Sequence, residues 1–241
     1  MKMLDLIMNK ICCTIVAGLL SAGFAAWGQQ SSFVDYANPL TGTMSKFELS
    51  TGNTYPAIAR PWGMNFWTPQ TGDMGNGWTY TYTADKIKGF KQTHQPSPWM
   101  NDYGQFSIMP MSGKPAFDQN ERASWFSHKA EKAMPYYYSV YLADHDITVE
   151  LTPTERAAKF RISYPEAQES GAYLIVDAFD KGSYIKIIPE ENKIVGYTTR
   201  NSGGVPENFK NWFIIISDTG FDYATAVSDG KEIKNLESES N

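Results

Sequence analysis

Past residue 31 the sequence never holds apolar residues at a helical period through several turns, so amphipathic helices are not what this chain can build. Short β-rich runs closed by turn signals recur instead. Ile147, Val149 and Leu151 alternate with Asp146, Thr148 and Glu150, the period-two pattern of a strand with one dry and one wet face. A turn is expected at Thr152-Pro153-Thr154, and further strands at residues 158–164, 172–178, 184–188, 193–199 and 212–217. Runs of this length and spacing predict a mainly β fold, an antiparallel β-sandwich, with a closed barrel as the alternative. A composition of 42% hydrophobic and 20% charged residues suits such a core.

The first residues read differently. Lys2 and Lys10 precede an apolar run over residues 11–27, small residues gather near its end, and Gln29-Gln30-Ser31-Ser32 follows. This is the pattern of a secretory signal peptide over residues 1–28, with Ala26-Trp27-Gly28 as the cleavage triplet. Thr14, Gly18, Ser21 and Gly23 interrupt the run, which argues against a signal anchor, since a bilayer needs about 20 apolar residues. Export to the periplasm or the exterior is expected, with no membrane insertion after cleavage. Both cysteines, Cys12 and Cys13, lie inside this signal, so a cleaved chain has no disulfide, thiolate nucleophile or cysteine metal ligand. The net charge of −5, with no basic run, excludes nucleic acid as an expected partner. The β-sandwich is expected over residues 29–227, and the charged residues 228–241 read as a polar tail or linker.

Residues 38–110 are crowded with Gly, Pro, Trp, Tyr, Thr and Asn and poor in aliphatics, the composition of loops that build a ligand surface on a rigid sheet. Long self-packed Ω-loops are the plainer reading. The densest cluster runs from Gly77-Trp78-Thr79-Tyr80-Thr81-Tyr82 through Gly89-Phe90-Lys91-Gln92-Thr93-His94 to Trp99-Met100-Asn101-Asp102. Aromatic faces beside amides, hydroxyls, an imidazole and a carboxylate suit a pyranose, whose C–H face lies on a ring while its hydroxyls need donors and acceptors. Taken singly, Trp78, Tyr80, Tyr82 and Phe90 fit core aromatics equally well. Trp99, between Pro98 and an Asn-Asp pair, is the one best placed to be presented to a ligand. His94 is a candidate hydrogen-bond donor, and His145, between two aspartates, reads as a solvated turn residue.

The three histidines lack the spacing of a zinc site, and no phosphate loop, nucleophile elbow or calcium loop occurs. Glycoside hydrolysis needs two carboxyl groups about 6.5–9.5 Å apart for inversion or about 5–5.5 Å for retention. Asp73, Asp85, Asp102, Asp118, Asp146 and Glu150 supply candidates, but nothing selects a pair. Asp146 and Glu150, four residues apart on one strand, stand about 13 Å apart by the strand rise.

Several of these segments, taken in order, resemble the N-terminal domain of family 92 glycoside hydrolases. They are Asn38-Pro39-Leu40-Thr41-Gly42-Thr43, Gly52-Asn53-Thr54-Tyr55-Pro56 with Arg60-Pro61-Trp62-Gly63-Met64, and Gly89-Phe90 with Thr93-His94. Asp102-Tyr103-Gly104, Met109-Pro110, Thr154-Glu155-Arg156 and Ile194-Val195-Gly196-Tyr197 extend the likeness over residues 33–227. Lys91-Gln92-Thr93-His94 departs from the Ser-His-Thr-His of many members, and this puts the linkage preference in question.

The resemblance implies a two-domain, exo-acting α-mannosidase that inverts configuration with calcium, its β-sandwich packed on an (α/α)6 catalytic domain with the active site between them. It implies that most catalytic and calcium-binding residues belong to that helical domain. None is then expected in this sequence, whose contribution is Trp78, His94, Trp99 and Asp102 to the pocket of a mannose-containing oligosaccharide. A free-standing glycan-binding module and a surface sandwich without ligand are the other classes the residues allow.

Overall fold

The computed structural model describes residues 32–44, 54–60, 63–74, 79–93, 106–166, 171–178, 182–201, 204–222, 224–228, 231–233 and 236–240. The chain divides into two compact units, Met1–Tyr36 and Ala37–Asn241. Of the first, the described part is a 3-10 turn at Phe33–Tyr36, in which the Ser32 amide donates to the Asp35 carboxylate. No helix among the described residues is long and apolar enough to cross a membrane.

The described strands of the second unit pair antiparallel. Its strands are β1 (Phe66–Gln70), β2 (Lys86–Ile87), β3 (Gly89–Thr93), β4 (Phe106–Ser112), β5 (Ser124–Trp125), β6 (Lys132–Met134), β7 (Tyr137–Leu142) and β8 (Ile147–Pro153). They continue with β9 (Ala158–Ser163), β10 (Ala172–Ala178), β11 (Ser183–Ile188), β12 (Lys193–Thr198), β13 (Asn211–Ile216), β14 (Ala226–Ser228), β15 (Lys231–Ile233) and β16 (Glu237–Ser240). Three four-stranded sheets result, in the orders β1-β3-β4-β10, β6-β7-β8-β9 and β13-β12-β11-β16.

The first two sheets form the sandwich. β7 and β8 turn Tyr138, Val140, Leu142, Ile147, Val149 and Leu151 inward, all fully buried, against Phe90 and Ile108 of the facing sheet. Burial on alternate residues is what the sequence period requires, because successive side chains leave opposite faces of a strand. Phe90 meets Tyr138 edge to face at 6.2 Å between ring centres, and Phe160 of β9 meets Trp67 at 5.1 Å. On the wet face Arg161 grips Glu150 through both carboxylate oxygens at 2.5 and 2.6 Å. Hydrogen bonds from Arg161 and then Tyr137 hold the Glu150 carboxyl down at about 2.

The third sheet joins through β10, which touches β11 and β12. Its inner face sends Phe213 onto Phe106, stacked at 4.3 Å, and carries Ile185 and Ile215 against the core. Phe213 fits there because Gly196 opposite it has no side chain. A Cβ at that position would lie 2.4 Å from the Phe213 ring and 2.5 Å from the Tyr184 carbonyl oxygen.

Three expectations change. The strand at Ile147 runs on through Pro153, so the turn falls at residues 154–157, where the Ala157 amide bonds the Thr154 hydroxyl. Residues 228–241, expected as a polar tail, hold β15 and β16, and β16 pairs with β11 while Tyr184 and Tyr197 donate hydroxyls to Glu237 and Glu239. His145 is buried rather than solvated, its Nε2 at 2.8 Å from the Arg122 carbonyl oxygen. Residues 1–28, read as a signal peptide, lie outside the described residues.

Candidate functional site

Strand β1 pairs with β3 from Phe66 opposite Thr93 to Gln70 opposite Gly89, which gives the first sheet two distinct ends. At one end Thr93 closes β3 and Phe106 opens β4, so residues 94–105 connect the two strands there. His94, Trp99 and Asp102 belong to that connection and lie outside the described residues. Trp78 does too, but its described neighbour Thr79 is bound at the other end, where its carbonyl accepts from the Thr71 amide at 2.8 Å, next to Gln70. Four strand steps, about 13 Å, separate the two attachment points.

The two strand ends are packed into the sandwich. Thr93 and Phe106 are buried, and Phe106 is held between Phe213 and the edge of Trp67. The Trp67 indole donates to Asn65 at 2.5 Å, and the Asn65 amide donates in turn to the carbonyl oxygens of Thr154 and Glu155. The Met64 amide also bonds the Glu155 carbonyl, at 2.7 Å, and the Ile58 amide bonds that of Trp67. The segments around Gly63-Met64, Thr93 and Thr154-Glu155 are distant in sequence, yet the fold brings them to one end of the sandwich. Connections between strands held on such a scaffold are the usual way a β fold presents ligand contacts.

A second polar cluster was not singled out from the sequence. The Glu131 side chain is fully buried and receives the Tyr138 hydroxyl at 2.6 Å, the Tyr80 hydroxyl at 3.4 Å and His128 Nδ1 at 2.6 Å. His128 Nε2 lies 2.7 Å from the Tyr82 carbonyl oxygen, so that nitrogen carries a hydrogen and donates it. The ring also stacks on Tyr82 at 3.9 Å, tying the turn before β6 to the segment after Trp78. Burial, then the neighbouring Glu131 carboxylate, pushes the Tyr80 and Tyr138 hydroxyls well above the usual tyrosine range, which keeps both as donors. The only advance signal was His128 and Glu131 three residues apart. The cluster is closed on itself and serves as an anchor. Tyr80 and Phe90 are core aromatics, the plainer of their two readings.

Three of the carboxylates named from the sequence are engaged within the fold. Asp73 pairs with Lys88, Glu150 with Arg161, and Asp118 caps the amides of Asn120 and Glu121. Calcium takes six to eight oxygen ligands. Among the described residues no group of three or more His, Cys, Asp or Glu side chains is gathered.

The glycosyl hydrolase family 92 N-terminal domain matches residues 36–241. A family 92 inverting mannosidase from Bacteroides thetaiotaomicron has a similar structure, with a TM-score of 0.73 and 53% identity over 77% of this chain and 25% of that one. A second family 92 α-mannosidase from the same organism gives 0.72 at 26% identity over 86% of this chain and 28% of that one. That enzyme in complex with mannoimidazole gives 0.57 at 28% identity, covering 68% and 22%. Comparison with curated proteins returns no match. The chain spans about a quarter of the length of these solved relatives. With a match from residue 36 to residue 241, the chain belongs to glycosyl hydrolase family 92, as an N-terminal domain of that family.

Proposed function

We propose that this chain is the exported, sugar-contacting β-sandwich domain of an exo-acting, calcium-dependent inverting α-mannosidase acting on mannosyl glycans. The observation that carries this is the 53% identity, over 77% of the chain, to an inverting mannosidase. The (α/α)6 domain that would hold the catalytic carboxylates and the calcium lies outside these 241 residues. The chain's own task is binding and orientation. Trp99 offers an indole face to the apolar side of a mannose ring, while His94 and Asp102 bond its hydroxyls from the same connection. Trp78 reaches the sugar from the second attachment point. The packing of Thr93, Phe106, Trp67 and Asn65 supports this reading, because it fixes the strand ends that flank three of the four residues.

The test is mannose release from an α-linked manno-oligosaccharide with calcium. It compares the chain alone with a chimera in which the chain replaces the matching quarter of the 53%-identical mannosidase. The chain alone should release none and the chimera should release mannose, with Trp99→Ala lowering kcat/KM by at least tenfold. Release by the chain alone would overturn the division of labour. A folded, inactive chimera would overturn the mannosidase assignment.

A further inference from the structure

β13 reads Asn-Trp-Phe-Ile-Ile-Ile, and its two faces contrast sharply with those of β8. Its inward residues, Phe213 and Ile215, enter the core. Its outward residues are just as apolar, yet Trp212 is 61% exposed, Ile214 65% and Ile216 69%. An unbroken apolar run of strand length is the sequence pattern of a strand covered on both sides. β13 also stands at the edge of its sheet among the described residues, where a long apolar strand is an invitation to further protein.

The surroundings have the anatomy of an interface. Val195 of β12 lies beside Ile214 and extends the apolar centre. Polar groups form the rim, in the Lys186–Glu237 and Lys193–Glu191 pairs and in Lys210, whose ammonium sits 4.0 Å from the Tyr197 ring centre.

We propose that the outer face of β13, centred on Trp212, Ile214 and Ile216, is the docking surface for the polypeptide that the solved relatives carry outside the matched quarter. About three quarters of each relative's length lies there, enough to cover an interface of obligate size. The occupant's identity rests on the mannosidase reading; the existence of a covered face rests on the strand itself.

The experiment is hydroxyl-radical footprinting of Trp212 in the chimera described above and in the chain alone, each as wild type and as the Ile214→Glu/Ile216→Glu double variant. Trp212 oxidation should fall about tenfold in the wild-type chimera relative to the chain alone, and the double variant should restore it. The same double variant should leave the urea midpoint of the chain alone unchanged. Equal oxidation of Trp212 in chimera and chain would overturn the proposal. So would loss of folding in the double variant of the chain alone, since those residues would then belong to its own core. A concentration-dependent dimer of the chain alone that protects Trp212 and is broken by the double variant would overturn it in favour of a second copy. A chimera that protects Trp212 but releases no mannose would sink the mannosidase reading and support this one.

Discussion

β8 and β13 are central to their two sheets' character, and they differ in what their outer faces ask for. β8 alternates, with Ile147, Val149 and Leu151 fully buried and Thr148, Glu150 and Thr152 outward, where Arg161 and Tyr137 satisfy Glu150. β13 is apolar on both sides, and its outer side meets solvent. One sheet is finished within this chain and the other is finished on its inner side alone. A polar outer row such as that of β8 specifies a surface, whereas a β-branched outer row specifies a contact.

The strongest test of the finished region is Glu131→Ala. It removes the acceptor shared by Tyr138, Tyr80 and His128 and leaves donors buried without a partner. Breaking a buried pair of this kind costs about 3–5 kcal/mol, so the urea midpoint should drop with an unchanged slope. A loss below 1 kcal/mol would mean that the sheet is held by its aliphatic layer alone, and the cluster would lose its role as an anchor.

A smaller effect is expected on the inner side of the unfinished sheet. Gly196→Ala would force its new methyl into Phe213 and the Tyr184 carbonyl, displacing the ring stacked on Phe106. Overpacking of this sort costs about 1–3 kcal/mol. Calorimetry that found no loss would show that Phe213 is free to move, so the inner face of β13 would be as open as its outer face.

The sequence made the strands legible where side-chain period and β-branching agree, as at residues 172–178, which the structure returns as β10 with the same bounds. It hid β16, because Glu237-Ser238-Glu239-Ser240 has poor strand propensity and is held by tyrosine hydroxyls some 50 and 40 residues away. His145 was misread for the same reason, since flanking aspartates say nothing of the Arg122 carbonyl that receives it. The Glu131 cluster depends on Tyr80, 51 residues distant, and no local pattern announces such a partner. At the Thr93 end of the sandwich the motifs were visible, but their convergence through Asn65 onto Thr154 and Glu155 is a tertiary fact.

The smallest expected effect is the sharpest for the comparison between the two strands. Ile214→Thr keeps β-branching while replacing the ethyl branch by a hydroxyl on a side chain that is 65% exposed. Surface changes away from special features usually stay within about 0.5 kcal/mol, so the isolated chain should melt as before. Val149→Thr makes a similar swap on a fully buried position of β8, and the hydroxyl it introduces faces the aliphatic core. Burying a hydroxyl without a partner costs about 1–3 kcal/mol, so the two variants should separate clearly in a urea titration. If Ile214→Thr were as costly as Val149→Thr, the outer row of β13 would already be packed within this chain. The two strands would then be alike, and no partner would be needed to explain the apolar run.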